Sequence, residues 1–487
     1  MKRLTSLGDL QGPARKPAYD PAAHGRGIVH LGIGAFHRAH QAAMTDDALA
    51  ASGGDWRITG VSLRSTGAAE AMTPQNGLYT LIERGARGTS ARVIAAIRDV
   101  IAADPAATLA ALCDPLVRIV TLTVTEKGYG FDRINGGFDA THPAVRADLA
   151  NPAAPSGVLG LLVAALKQRR AARQAPFTVL CCDNLPENGH LLRNGVISFA
   201  AAQDRELADW IAAEVAFPSS MVDRITPAPT AETFAEAARQ TGCEDLAAIE
   251  TEPFLQWVIE DHFPQGRPNW EAGGAIFVAD VAPYERMKLT MLNGSHSMLA
   301  YAGFLSGHRY VRDVMGDPEL AALIARHLQA AAAELPALPG IDLADYAQAL
   351  EQRFRNPAIA HETYQIAMDG TQKLPQRIFQ PALTALHAGR SLAPFAFATA
   401  AWMRYALGQD EAGTAYALRD PREDEITAAL ATTPREAGAI FDALSALPGL
   451  MPDELRASPQ WRAAVLQPLG RMLTDGIRSA MQHETGA

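Results

Sequence analysis

Residues 27–34 (GIVHLGIG) form an apolar run that closes on two glycines and leads into a helical pattern over 37–51. A short apolar run bounded by glycines reads as a buried strand, and the glycines let the chain turn sharply into the next element. The alternation recurs. Segments 57–64 (RITGVSLR) and 118–125 (RIVTLTVT) read as strands, with shorter strands at 78–83 and 92–97. Helices are expected at 106–113 and 155–172, then a strand at 177–182 and a helix from Pro186. Apolar strands alternating with amphipathic helices predict a parallel, doubly wound sheet. Beyond Pro283 the pattern changes to helical periodicity, with alanine-rich stretches such as 319–334 and a proline- and glycine-bearing loop within 330–345. The expectation is an α/β domain over residues 1–284 and a mostly α-helical domain over 285–487.

A chain of 487 residues is too long for one ordinary core, which agrees with two domains. A formal charge of −10 argues against nucleic acid or an anionic membrane as the main partner and leaves a small anionic substrate open. Cys113, Cys181, Cys182 and Cys243 form no CxxC pair and no Cys/His spacing, so no disulfide framework or zinc site is indicated, and a reducing cytoplasm is expected. The N-terminus has charge without an apolar stretch, unlike a secretory signal. The apolar run at 157–166 is too short to span a bilayer. The helical part has no obvious exposed heptad seam, so a monomer is expected.

Gly32-Ile33-Gly34 lies where a dinucleotide pyrophosphate meets helix N-terminal amides. A side chain there would hold the backbone away from the phosphate. His37 stands in place of the third glycine of the usual pattern, and Arg38, one turn on, would reach a phosphate. His37 and His40 are three apart, but no carboxylate or cysteine stands near to complete a metal site, so no metal is expected. The second strand ends Leu63-Arg64-Ser65-Thr66, without the acid that accepts the ribose hydroxyl of NAD. Arg64 would favour NADP, or would stack on adenine with either cofactor.

The segment 287–300 (MKLTMLNGSHSMLA) carries Lys288, Asn293 and His296 among apolar residues. At about 100° per residue these three fall at about 0°, 140° and 80° on a helical wheel, with Glu285 at about 60°. A lysine drawn into an apolar helix has a lowered pKa and acts as a base near neutral pH. The alternative is an amphipathic helix whose polar stripe faces water.

These pieces resemble the polyol-specific long-chain dehydrogenase family, which includes mannitol 2-dehydrogenases and fructuronate reductases. IVHLGIGAFHRAHQA is similar to its cofactor motif and KLTMLNGSHS to its catalytic block. TVTEKGY, CDNLPENG, MVDRITP, EPFLQWVIEDHF and DGTQKLPQR resemble further blocks, so the likeness covers nearly the whole chain. It implies an expanded Rossmann-type domain followed by a helical one, and metal-independent, NAD(P)-dependent hydride transfer, with NAD expected and NADP open. LTVTEKGY, MLNGSHS and QIAMDGTQKLPQR are most similar to the hexuronate-reducing branch, which implies interconversion of D-fructuronate and D-mannonate. D-mannitol and D-fructose, or another polyol such as D-arabinitol, are the alternative.

The resemblance implies that Lys288 is the general acid and base, that Asn293 and Asn184 donate hydrogen bonds to the reacting oxygen, and that His296 binds a substrate hydroxyl or holds the lysine. Asn184 would otherwise cap a helix, and His296 would be a core histidine. Asp223 is implied to contact substrate or nicotinamide, or else pairs with Arg224. Glu126 and Glu285 would relay the proton to water, unless Glu126 and Lys127 are an ordinary surface turn. Gly32, Ile33, Gly34, Phe36, Arg38, Arg64, Thr123 and Thr125 would surround the cofactor. A carboxylate substrate needs a cation, and Lys373 and Arg377, four apart on one helix face, are expected to supply it, with help from His361 and Gln372.

Overall fold

A computed structural model describes residues 1–86, 88–132 and 136–486 and divides into two compact units, Met1–Ala282 and Pro283–Ala487. The first is built on five strands: β1 (Arg26–Leu31), β2 (Arg57–Ser62), β3 (Ile97–Ala102), β4 (Ile119–Leu122) and β5 (Thr178–Cys181). All their pairings are parallel, in the order β3-β2-β1-β4-β5. The order reverses between β1 and β4, and that reversal opens a crevice at the carboxyl ends of the strands. Strand residues alternate between faces. Val29, Leu31, Val120 and Val179 pack on one face with helix Val158–Ala171, while Ile28, Ile58, Ile119 and Leu180 pack on the other with helix Gln41–Ser52. Burial on both sides accounts for the uninterrupted apolar runs that make these strands legible.

Two elements differ from the sequence expectation. The strand expected at 92–97 straddles two elements, because the chain leaves one sheet for another there. Gly88–Ile94 is the second arm of an antiparallel hairpin with Tyr79–Gly85, whereas Ile97 opens β3. Residues 93–97 are all buried and apolar, so no polar residue marks the crossing. The helix expected at 37–51 is two helices, Ala35–Ala39 and Gln41–Ser52, broken at His40 by a non-helical backbone (φ −116°, ψ −87°). Two small three-stranded sheets stand apart from the parallel one, and Tyr79–Gly85 in one of them meets the strand expected at 78–83. The other joins Ser220–Asp223, Gln256–Glu260 and Ile276–Val278.

The second unit is helical. Helix Gly294–Leu305 is its buried spine, packed by Pro318–Ala333, Thr363–Ala367 and Ala393–Tyr405. Two segments widen into π-helical turns, Lys288–Asn293 and Pro375–Phe379, and these pack against each other. Such turns are rare and gather at functional sites. No helix among the described residues is long and apolar enough to cross a membrane.

Candidate active site

At the end of β1, Gly32 has φ +100°, and a Cβ there would lie 2.1 Å from the Thr123 carbonyl oxygen. The neighbouring strand therefore requires glycine at this point, a reason that stands beside the one a phosphate would give. Gly34 is different: it is exposed, and a Cβ would meet nothing nearer than the Gly32 carbonyl at 3.8 Å. Ile33 is buried against Gly60 of β2, where a Cβ would lie 2.2 Å from the Ile33 Cδ1. Gly60, which sequence reasoning passes over, therefore sets the seat of the turn. Phe36 is half-buried and stacks on His40, with ring centroids 5.0 Å apart.

Two expected cofactor contacts have other partners. Arg38 donates to the carbonyls of Gly34 (3.3 Å) and Ala247, and lies 5.6 Å from the centroid of the Tyr79 ring. Through these contacts it braces the helix after the turn. The Thr123 hydroxyl donates to the Gly32 carbonyl (2.9 Å), so it holds the turn from inside. His37 is fully buried and stacks on His30, with centroids 3.4 Å apart. Burial pushes the pKa of His30 down to about 3 and that of His37 well below its ordinary value, so both rings are neutral. His40 Nε2 lies 2.9 Å from the Gln256 carbonyl. Among the described residues no cluster of three His, Cys, Asp or Glu side chains is placed to hold a metal ion. Arg64 stands exposed past the end of β2.

The carboxyl ends of β4 and β5 are tied together by residues that the sequence does not single out. The Asp183 carboxylate accepts from the Val124 and Thr125 amides (2.9 and 3.1 Å) and from the Tyr129 hydroxyl (2.7 Å). Burial raises its pKa against the pull of those three donors. Asn188 donates to the Asp183 and Ser220 carbonyls (3.0 and 2.7 Å) and accepts from the Ser220 amide (3.0 Å). Asn184 is exposed beside this lock, and the next helix starts only at Asn188, so Asn184 is not its cap. Asp223 is buried at the end of its strand. Arg224 bonds to the carbonyls of Ala39 and Glu252 and to Glu83. Thr125 and Glu126 are exposed at the start of helix Glu126–Tyr129.

In the helical unit Lys288 opens the first π turn and is only 8% exposed, so the picture of a polar stripe facing water does not apply to it. Asn293 closes the same turn, half-buried. The wheel angles expected for these residues also change. An i→i+5 turn brings residues five apart toward one face, so Lys288 and Asn293 come closer in direction than an α-helix would allow. Glu285 lies one turn earlier in helix Ala282–Met287. His296 is half-buried, 4.7 Å from the Phe354 ring and 5.5 Å from the His361 ring, measured between centroids. Burial, then Arg353 and Lys373, hold the pKa of His361 below its ordinary value.

Arg377 sits in the second π turn, and its Nη1 donates to the Asn293 carbonyl (3.4 Å) and the Ser297 hydroxyl (3.3 Å). Burial pushes its pKa down to about 10. Gly294 makes the approach possible, since a Cβ there would lie 2.9 Å from the Arg377 carbonyl oxygen and 3.2 Å from His327 Nε2. Lys373 is more committed than expected. Its ammonium donates to the carbonyls of Met368 (2.6 Å) and Ile366 (3.3 Å) and lies 3.5 Å from the Asp369 carboxylate. The helix-face pairing expected for Lys373 and Arg377 is also altered, because Pro375 opens a π turn between them. Gln372 is exposed.

Comparison with known proteins places this architecture. Residues 26–272 match the mannitol dehydrogenase Rossmann domain and residues 280–448 the mannitol dehydrogenase C-terminal domain. The chain belongs to the mannitol dehydrogenase family. It is 42% identical to the D-mannonate oxidoreductase of Escherichia coli (strain K12), over 98% of this chain and 99% of that one. It is 43% identical to a mannitol 2-dehydrogenase of Cereibacter sphaeroides, over 83% of this chain and 86% of that one. Among solved structures, the Pseudomonas fluorescens mannitol 2-dehydrogenase ternary complex with NAD and D-mannitol aligns with a TM-score of 0.79 and 39% identity, covering 99% of each chain.

Proposed function

We propose that the protein is an NAD-dependent oxidoreductase that interconverts D-fructuronate and D-mannonate. The observation that carries this reading is a buried lysine in a π turn, with a desolvated arginine hydrogen-bonded to the carbonyl that closes the same turn. The glycine turn at the crevice between β1 and β4 suits a dinucleotide, because the exposed Gly34 leaves open space where a side chain would stand. NAD supplies a hydride acceptor there, or a donor when reduced. Family membership and the NAD-bound relative support that assignment. Gly32, Ile33, Gly34 and Phe36 form its seat, and Arg64 lies where the adenosine end of a dinucleotide runs in this fold.

The rest of the chemistry belongs to the chain. Oxidation of a secondary alcohol removes a hydroxyl proton, and the Lys288 amine takes it; in reduction the ammonium returns it to the nascent alkoxide. Asn293 and Asn184 donate to that oxygen, and His296 holds a neighbouring hydroxyl. Asp223 contacts substrate or nicotinamide, and Glu126 and Glu285 pass the proton toward water. Arg377 binds the substrate carboxylate. Its described hydrogen bonds all use Nη1, and its burial costs least when an anion is bound. His361 lines the same region, while Lys373 contributes charge to it.

The second reading is D-mannitol and D-fructose. The commitment of Lys373 to two carbonyls and Asp369 favours it, as does a mannitol 2-dehydrogenase at similar identity. NADH consumption with D-fructuronate and with D-fructose separates the two. A kcat/KM at least about tenfold higher for fructuronate is expected from one charge-assisted contact. A preference for fructose would leave the oxidoreductase reading standing and remove the carboxylate role of Arg377.

A further inference from the structure

Thr125 has φ +67° and ψ +156°. Glycine alone populates that region readily, and a β-branched residue is the least suited to it. Such a conformation persists only where the surroundings impose it. Here the imposing group is Asp183. One oxygen of its carboxylate takes the Thr125 amide at 3.1 Å, and the other takes the Val124 amide at 2.9 Å and the Tyr129 hydroxyl at 2.7 Å. These donors bracket the segment 124–129, so a single side chain grips both ends of the turn that carries Glu126. Tyr129 is buried, and its hydroxyl also lies 3.1 Å from Cys181 Sγ of β5. The far end of the turn is therefore anchored to the sheet as well.

We propose that Asp183 is a positioning residue: its carboxylate holds Thr125 in a glycine-like conformation and so fixes where Glu126 stands. The value of this for turnover rests on the relay role proposed above for Glu126; the clamp itself does not. An isosteric amide cannot replace the carboxylate, because it offers one accepting oxygen where three donors converge.

The test uses the full chain with Asp183→Asn in two backgrounds, wild type and Thr125→Gly. Glycine takes a positive φ without steric cost, so it does not need the clamp. In the wild-type background Asp183→Asn is expected to lower kcat about a hundredfold with KM little changed, as misplacement of a positioned group does. In the Thr125→Gly background the same substitution is expected to cost less than about tenfold, a coupling that a double-mutant cycle reads directly. Folding only in the glycine background would support the clamp in the same way. An equal cost in both backgrounds, or failure to fold in both, would overturn it. Amide exchange separates this outcome from failure of the proposed reaction, since it needs no turnover. Protection at Val124 and Thr125 should fall in Asp183→Asn while β4 and β5 stay protected, and unchanged protection would sink the clamp even in an active enzyme.

Discussion

In the N-terminal unit the residues proposed to bear chemistry stand where strands end. Gly32 and Gly34 follow β1, Val124–Glu126 follow β4, and Asp183 and Asn184 follow β5. In the helical unit Lys288, Asn293 and Arg377 stand inside helices, at two places where the turn widens: Lys288 to Asn293 and Pro375 to Phe379. A sheet frees backbone amides at its edge as a matter of course. A helix must break its own ladder to do so, and the π turn does this while keeping the helix continuous. One unit thus positions groups by glycine and tight turns, the other by a change of helical register held by a close glycine contact. The cost of disturbing each device should differ accordingly.

The largest effect is expected at Gly32. Gly32→Ala adds a Cβ 2.1 Å from the Thr123 carbonyl at φ +100°, and should destabilise the N-terminal unit by about 3 kcal/mol or more in urea unfolding. Gly294→Ala should cost the helical unit about 2 kcal/mol, since its Cβ would lie 2.9 Å from the Arg377 carbonyl oxygen. It should also raise KM for the proposed hexuronate substrate, because the two π turns must separate. If the substitution instead stabilised the protein, as alanine does in an open helix, the close packing of those turns would be wrong.

Acid tests both units together. His30 and His327 are buried and neutral, with pKa values pushed by burial from 6.5 to about 3 and about 4. Unfolded, each takes up a proton below about 6.5. Their contribution is therefore complete above that pH and is lost as pH falls toward the folded values. Each should remove about 2 kcal/mol between pH 7 and pH 5. In the N-terminal unit Asp46 works the other way, since burial raises its pKa to about 6 and folding favours its protonated form as pH falls from there toward 3.8. His327→Gln should flatten the pH dependence of urea unfolding in the helical unit. A slope unchanged by that substitution would show that His327 is not buried and neutral.

The smallest effect on stability is expected at Gly34. Its Cβ would meet no protein atom closer than 3.8 Å, so Gly34→Ala should leave stability within about 0.5 kcal/mol. NADH affinity, measured by fluorescence titration, should fall about tenfold or more, because the added methyl would hold a phosphate off the turn. Unchanged affinity would place the pyrophosphate elsewhere.

The contrast also explains what can be read from the sequence. Strands buried on both faces leave unbroken apolar runs, so β1, β2, β4 and β5 are legible, as is the change to helical periodicity after Pro283. β3 is not, because residues 93–97 stay apolar while the chain passes from one sheet to another. The glycine turn is visible, but the reason for Gly32 is not, since Thr123 lies 91 residues away. Lys288, Asn293 and His296 stand out as polar residues in an apolar stretch. Their directions do not, because a wheel drawn at constant pitch cannot contain a π turn. Asp183 and Gly60 escape notice for a shared cause: each acts through a contact far away in sequence. The carbonyl partners of Arg38, Thr123 and Lys373 are equally hidden from the sequence, because they are set by the fold and not by the motif.

The central claim is that the buried Lys288 amine carries the proton. Lys288→Ala in the full chain, assayed in parallel for turnover of D-fructuronate with NADH and for NADH binding, tests it most directly. Loss of about a thousandfold or more in kcat, with the dissociation constant of NADH changed less than about threefold, is the predicted result. Turnover within about tenfold of the wild type would contradict the account.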